Sequence, residues 1–443
     1  MAEKMSFTQV TAIVSSCETD TINTLNSTRP EAQEEFLAND SLMKPNNELG
    51  RLNTRELQLK VDLLSAIKCW LDKLEELRNE GKPSNSSLSD KQQRAIKLAV
   101  EASLLGNEFC LACANYRANP CAETAAAQKA ANEARYGKPD YSTYQALLQS
   151  QLEKIPEREL SNSEQIMNDE LMELLKDVKL IPAERYQPSP ETVEIFSALM
   201  REYMAPIVAN LPSDREISIE ELTEKMCETL RDNTDDNSEW SAEYQPNRTV
   251  ANANQHRKRL EMPGKRPKNI LNHLEACKLK SHEEGVHAMR GIPYEKAQIE
   301  MFRTGMPGYD AFEEGVAKAA EQAWDGKYED ANPERYIAIG LANFEGMNFR
   351  QVFEIMRRMM SLTDGKDQTK LAFTTVQRTF RGTDDLPTKK DMIYYNGNVK
   401  FWKYVEKHLD DPELFDHLFL YGKSDAGNPE HERIMYEAKV GGL

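Results

Sequence analysis

The sequence contains no run of about 18 consecutive apolar residues, the minimum for a helix that crosses a bilayer. Its opening stretch, MAEKMSFTQVTAIVSSCETD, lacks the apolar block of a secretion signal. A soluble, cytoplasmic protein is therefore expected, with specialised export as the remaining route out of the cytosol. Basic charge is also short, since 56 Lys and Arg stand against 73 Asp and Glu for a formal net charge of −17. That balance argues against a chain whose main business is coating nucleic acid or an anionic membrane. Any anionic substrate needs a local basic groove. The seven cysteines (Cys17, Cys69, Cys110, Cys113, Cys121, Cys227, Cys277) are odd in number and scattered through helix-like stretches. They suit a reducing compartment better than a disulfide framework. No repeat of fixed period is present.

What the chain does have is length and helical periodicity. Its 443 residues can bury a substantial core and hold two or three domains. One amphipathic stretch, TRELQLKVDLLSAIKCWLDKLEELRN, is followed by the breaker GKPSNSSLSD, where Ser89 and Asp90 are placed to cap the next helix. A boundary there separates a helical, partly flexible region over 1–92 from a main domain over 93–443. Helix then follows helix, punctuated by Pro, Gly and Asn, in segments such as YSTYQALLQSQLEK, SIEELTEKMCETLRD and NFRQVFEIMRRMM. Only EWSAEYQPNRTVANANQHRKRLEMPG breaks the pattern, with short alternating runs near Trp240 and from Arg257 to Met262 that predict two or three strands. The expected fold class is mainly α (α+β), with a small antiparallel sheet just upstream of the segment HEEGVH.

In HEEGVH, His282 and His287 bracket Glu283 as the histidines of a zinc peptidase helix do, but they stand five positions apart instead of four. On a regular helix five residues rotate the second imidazole about 140° away from the first. A π-bulge, with about 4.4 residues per turn, returns it to within about 50°. Gly285, inside the segment, tolerates that distortion. Two histidines need a third protein ligand and leave a fourth position for water. GYDAFEEGVA supplies Glu313 and Glu314 in the helix that follows. Glu283 would then stand beside the water as general base.

HEEGVH and EEGVA together resemble the signature of the QEGLA-motif zinc carboxypeptidases, His-Glu-x-Gly-x-His followed by Gln/Glu-Glu-Gly-Leu-Ala, a family whose animal members include the microtubule-associated tyrosine carboxypeptidases. The resemblance implies Zn2+ held by His282, His287 and Glu314, with Glu283 as the catalytic glutamate, in a helical metallopeptidase domain. GMPGY, RTFRGTDD from Arg378, KDMIYYNG from Lys390, RYGKPD, EWSAEY and HRKRLEMPGKR are similar to family segments, and the likeness runs over roughly residues 95 to 425. Three positions depart from it: Glu284 where an apolar residue is common, Val316 for Leu, and Glu313 for Gln. Glu284 is the one that matters, because an extra carboxylate would perturb the metal unless the helix turns it away. The implied activity is release of a C-terminal tyrosine or another aromatic residue from a polypeptide with an accessible C-terminus, a tubulin-like tail among the candidates.

A carboxypeptidase must hold a terminal carboxylate, for which Arg offers paired, charge-assisted hydrogen bonds. Arg378 and Arg381, one turn apart, are candidates. Lys390 and the basic stretch His256, Arg257, Lys258, Arg259, Lys265, Arg266 and Lys268 are the others, with Lys265 and Arg266 at its centre. For the basic stretch, the plainer reading is a solvated strand and turn. Tyr394 is either an oxyanion donor, a role worth roughly 3 kcal/mol, or an aromatic packed on a strand. Cys110, Cys113 and Cys121 have zinc-like spacing but no fourth ligand, so buried helix cysteines are expected. Phe302, Met306, Tyr309 and Phe312 are expected in the core or a pocket wall. The competing functional readings are a metal-stabilised binding protein that has lost its chemistry, and a zinc endopeptidase.

Overall fold

In the computed structural model of the chain, the residues described are 6–17, 30–45, 53–82, 86, 88–155, 159–234, 238–265, 268–294 and 301–441. The helices before the sheet are α1 (Phe7–Cys17), α2 (Pro30–Ala38), α3 (Thr54–Asn79), α4 (Asp90–Ala118), α5 (Ala122–Tyr136), α6 (Tyr141–Glu153), α7 (Asn162–Leu174) and α8 (Pro190–Val208). Strand β1 (Ile217–Ser218) leads into α9 (Ile219–Asn233), then β2 (Ser241–Gln245), β3 (Asn252–Asn254), β4 (Arg259–Pro263) and β5 (Ile270–Leu271). After α10 (His273–Lys280) come a π-helical segment (Ser281–Ala288), α11 (Met301–Thr304), α12 (Asp310–Asp325), α13 (Pro333–Phe344), α14 (Phe349–Asp364), α15 (Thr369–Thr379), α16 (Met392–His408), α17 (Leu414–Phe419) and α18 (Pro429–Gly441). The chain is mainly α, as its periodicity predicts. Among the described residues, no helix is long and apolar enough to cross a membrane.

Local sequence sets the helix ends. Ser89 caps α4 by accepting the Gln92 N–H, and the Gln92 side chain returns the bond. Asn272 with Glu275 does the same for α10, which aims the following segment. Pro333 opens α13, where its missing N–H has no intrahelical partner to lose. Gly326 and Gly365 close α12 and α14 in the left-handed region.

The sheet beside the π segment has strand order β2-β4-β3, with β3 antiparallel to β4 and β2 parallel to it, and β1 pairs antiparallel with β5. The strand runs near Trp240 and Arg257 to Met262 are therefore present, with a mixed pairing. Helix α9 covers β2, where Cys227 Sγ lies 3.0 Å from the Ala242 carbonyl. Leu260, Met262, Leu222 and Met226 fill the layer between sheet and helices together with Ala276 and Ala288.

A second core joins the π segment to α8, α12 and α16 through Val286, Met204, Phe196, Phe312, Val316 and Trp402. A third unites α1, α3 and α4 with Phe302, Met306, Ile434 and Met435. Cys110 and Cys113 are buried in α4 as expected, but Cys121 is exposed, because it sits at the N-cap of α5 and not within a helix.

Helices α12 and α16 cross almost backbone to backbone. A Cβ on Gly397 would fall 1.8 Å from the Ala311 carbonyl oxygen, and one on Gly315 would fall 2.3 Å from that of Gly397. Neither obstacle is a flexible side chain, so the helices would have to separate. Gly397→Ala should cost about 3 kcal/mol of stability, read as a lower urea midpoint at constant m. An unchanged midpoint would show that the crossing has slack.

Candidate metal centre

The two histidines of HEEGVH lie in the π segment, where each wide turn brings residues five apart together. The Met289 N–H reaches the Glu284 carbonyl, five residues back, at 3.0 Å. Packing maintains the distortion. Trp324 Nε1 donates to Ser281 Oγ at 2.9 Å, and Gln255 Nε2 donates to the His287 carbonyl at 2.6 Å. Gly285 earns its place through close approach and not through an unusual φ: a Cβ there would lie 2.6 Å from Met204 Sδ of α8.

The outcome is that His282 Nε2 and His287 Nε2 face each other at 3.1 Å, with ring planes at 77°. One carboxylate oxygen of Glu314 joins them, and the three ligand atoms lie within 4.8 Å of one another. The two side chains keep 17% and 13% of their exposure, so neither is sealed from solvent.

Behind each imidazole stands a carboxylate. Glu313 Oε1 is 3.1 Å from His287 Nδ1, and Glu321 Oε1 is 2.6 Å from His282 Nδ1. These contacts favour the proton on Nδ1 of both rings, leaving the two Nε2 lone pairs turned toward each other. Facing lone pairs repel unless a cation or proton stands between them, and carboxylate-backed imidazoles are the usual surroundings of a metal-binding histidine. Two imidazoles and a carboxylate suit a divalent ion of the zinc type.

Burial opposes the charge of Glu313, but Lys423, Arg290 and His287 outweigh it and hold its pKa far below the usual carboxylate range. Both cations are themselves buried against it. Burial likewise opposes Glu321, yet His282 and Lys318 bring it down to about 2. For His282, burial lowers the pKa, but Glu321 first, then Glu283 and Glu314, raise it to about 9.

The pair Glu313 and Glu314 is divided between two tasks. Successive helical residues point about 100° apart, so Glu314 faces the histidines while Glu313 backs His287. Glu284 is turned toward Lys280, both fully buried, and Lys280 Nζ also donates to Thr229 Oγ1 at 2.7 Å. Burial raises the Glu284 pKa to about 7, with Lys280 resisting. The departure at position 284 therefore forms an ion pair of its own and stays out of the triad. Glu283 is buried within the π segment.

Tyr394 lies in the first turn of α16, so it is helical where a strand is the plainer expectation. Its hydroxyl accepts from Arg378 Nη2 at 3.3 Å. Burial and Glu314 raise its pKa, keeping the phenol protonated. Arg378 and Arg381 do converge, but on Asp391: Arg378 Nε lies 2.5 Å from Oδ2 and Arg381 Nη2 3.0 Å from Oδ1. Lys390, beside them, is pulled down to about 8 by burial, with the charge of Arg381 adding to the effect and Asp310 opposing it.

Four of the seven residues of the basic stretch pair with carboxylates. Lys258 pairs with Glu239, Arg259 with Glu243, Arg257 with Glu261 and Lys268 with Glu275. Lys265 is exposed, and Arg266 lies outside the described residues. Glu321, Arg290, Lys423 and Asp391 escaped the sequence reading. Glu321 alone left a signal, since it follows Glu314 by two helical turns on one face of α12.

A metal ion must displace the proton that His282 holds. Apparent affinity for a divalent ion should therefore rise about tenfold per pH unit between about pH 6.5 and 8.5 and level off above about pH 9. Calorimetry in buffers of differing ionisation enthalpy should count about one proton released below that plateau. A pH-independent affinity would refute this account of the pair.

No curated protein matches the chain. The family model described as microtubule-associated tyrosine carboxypeptidase matches residues 182–440, more than half of the chain, a span that takes in the π segment, α12, Tyr394 and Lys423. It starts later than the likeness visible in the motifs and extends into the last helix. The chain belongs to the microtubule-associated tyrosine carboxypeptidase family.

Proposed function

We propose that the chain is a zinc-dependent carboxypeptidase that removes one C-terminal residue, tyrosine or another aromatic, from a polypeptide. The observation that carries this reading is the pair of carboxylate-backed imidazoles facing each other at 3.1 Å with Glu314 beside them. The family supports the carboxypeptidase activity and the choice of tyrosine. Its name also favours a tubulin-like tail as substrate, met in the cytosol.

His282, His287 and Glu314 would hold the zinc. Bound there, zinc supplies a Lewis acid that lowers the pKa of water and polarises a carbonyl. Glu283, next in sequence to His282, takes the proton of the attacking water and passes it to the leaving amine. Tyr394, protonated at neutral pH, has its O–H free to donate to the oxyanion while its oxygen accepts from Arg378. Arg335, Arg378, Arg381 and Lys390 gather around Asp391, with Asp310 also facing Lys390, and this local excess of cations draws an anionic chain end. Lys265 and Arg266 are not needed for this reading, which takes its cations from beside Tyr394.

Glu283→Gln should lower release of C-terminal tyrosine from a test peptide by about 10³-fold while metal content, read by atomic absorption, stays the same. Chelation should abolish release and added zinc restore it. A wild type that matches Glu283→Gln across a broad peptide panel would mean a binding protein. Products shortened by whole fragments would mean an endopeptidase.

A further inference from the structure

The arginines that the sequence offers for a carboxylate clamp are largely tied to Asp391, and the donor that Arg381 has left, Nη1, is buried away from solvent. Arg378 gives Nε and Nη2 to Asp391, while Arg381 gives Nη2 to Asp391 and Nε to the Arg378 carbonyl at 2.9 Å. A different guanidinium at the same place is not so tied. Arg335 stands in the first turn of α13, where Asn332 takes a left-handed conformation (φ 49°) and accepts the Arg335 N–H at 3.1 Å. That turn carries the Arg335 guanidinium over the Tyr394 ring, 4.5 Å from its centroid.

Among the described residues the Arg335 side chain makes no hydrogen bond and no ion pair, so its five N–H donors remain unspent although the residue is half-buried. No Arg335 nitrogen is among the buried atoms that lack a partner, so its donors reach solvent, where a carboxylate can replace water through two parallel bonds. Tyr394 couples the two ends of the site: Arg335 lies on its ring, and its hydroxyl feels the charge of Glu314 in the triad.

We infer that Arg335 is the specificity-determining residue that grips the substrate's terminal carboxylate, with Arg378, Arg381 and Asp391 forming the brace that fixes Tyr394 beneath it. The inference rests on the carboxypeptidase reading above and names the residue that makes it an exopeptidase.

The test uses the metal-loaded full chain, a peptide ending in free tyrosine, and the same peptide as its C-terminal amide. Arg335→Ala should raise KM for the free acid about 30-fold, leave kcat within about threefold, and erase the preference for acid over amide. Arg335→Lys should fall between, and ethylguanidinium should partly restore the alanine variant. If the alanine variant loses kcat alone and keeps its acid preference, Arg335 only steadies Tyr394 and the inference falls. Binding of N-acetyltyrosine, followed calorimetrically, separates this from the parent reading. Arg335-dependent binding without turnover upholds the inference and sinks the enzyme. Binding that survives Arg335→Ala and Arg335→Lys alike, in variants with wild-type urea midpoints, overturns the inference.

Discussion

Two imidazole nitrogens held face to face at 3.1 Å form the constraint on which the rest of the centre depends. An α-helix cannot produce it from residues five apart, because the rotation between them is wrong. The chain accepts a π-helical segment, with its less favourable hydrogen bonding, and surrounds it with contacts from other elements. Met204 of α8 fills the space a side chain at Gly285 would need, Trp324 holds Ser281 from α12, and Gln255 holds the His287 carbonyl from the loop before β4. Each comes from a different element, so the distortion is maintained by tertiary packing on three sides.

The same logic explains the unusual amount of buried charge. Glu313 with Arg290 and Lys423, Lys280 with Glu284, and Asp391 with Arg381 are all nearly inaccessible to water. Buried ion pairs are poor sources of net stability, since desolvation consumes most of their attraction, yet removing one partner is expensive. Here they fix orientation. Arg290 and Lys423 keep Glu313 ionised as it backs His287, and Asp391 holds the Arg378 guanidinium that reaches the Tyr394 hydroxyl. A chain of net charge −17 thus concentrates Arg335, Arg378 and Arg381 around Asp391 beside Tyr394.

Much of this was legible beforehand. Histidines at 282 and 287 with a glycine between them required a wide turn if they were to share a ligand, and the turn is there. The capping residues at Ser89 and the strand runs around 241–263 also read correctly. Residue type and spacing could not decide between Glu313 and Glu314, because neighbours on a helix look alike until something packs against one of them. Nor could they say that Glu284 would bury itself against Lys280, or that Arg378 and Arg381 would spend their donors on Asp391. The zinc-like spacing of Cys110, Cys113 and Cys121 was a coincidence of two helices meeting at Asn119 and Pro120.

By itself, then, the sequence determined the mainly helical class, the ends of individual helices and the pairing of the two histidines. Those properties depend on residues within one or two turns of each other, and periodicity records them directly. Tertiary structure alone decided which carboxylate faces the imidazoles, that Lys423 would neutralise Glu313 from 110 positions away, and that Arg335 would lie over Tyr394. Such meetings depend on how closely helices approach, as at Gly315 and Gly397, and a sequence carries no local trace of the partner that will fill the gap.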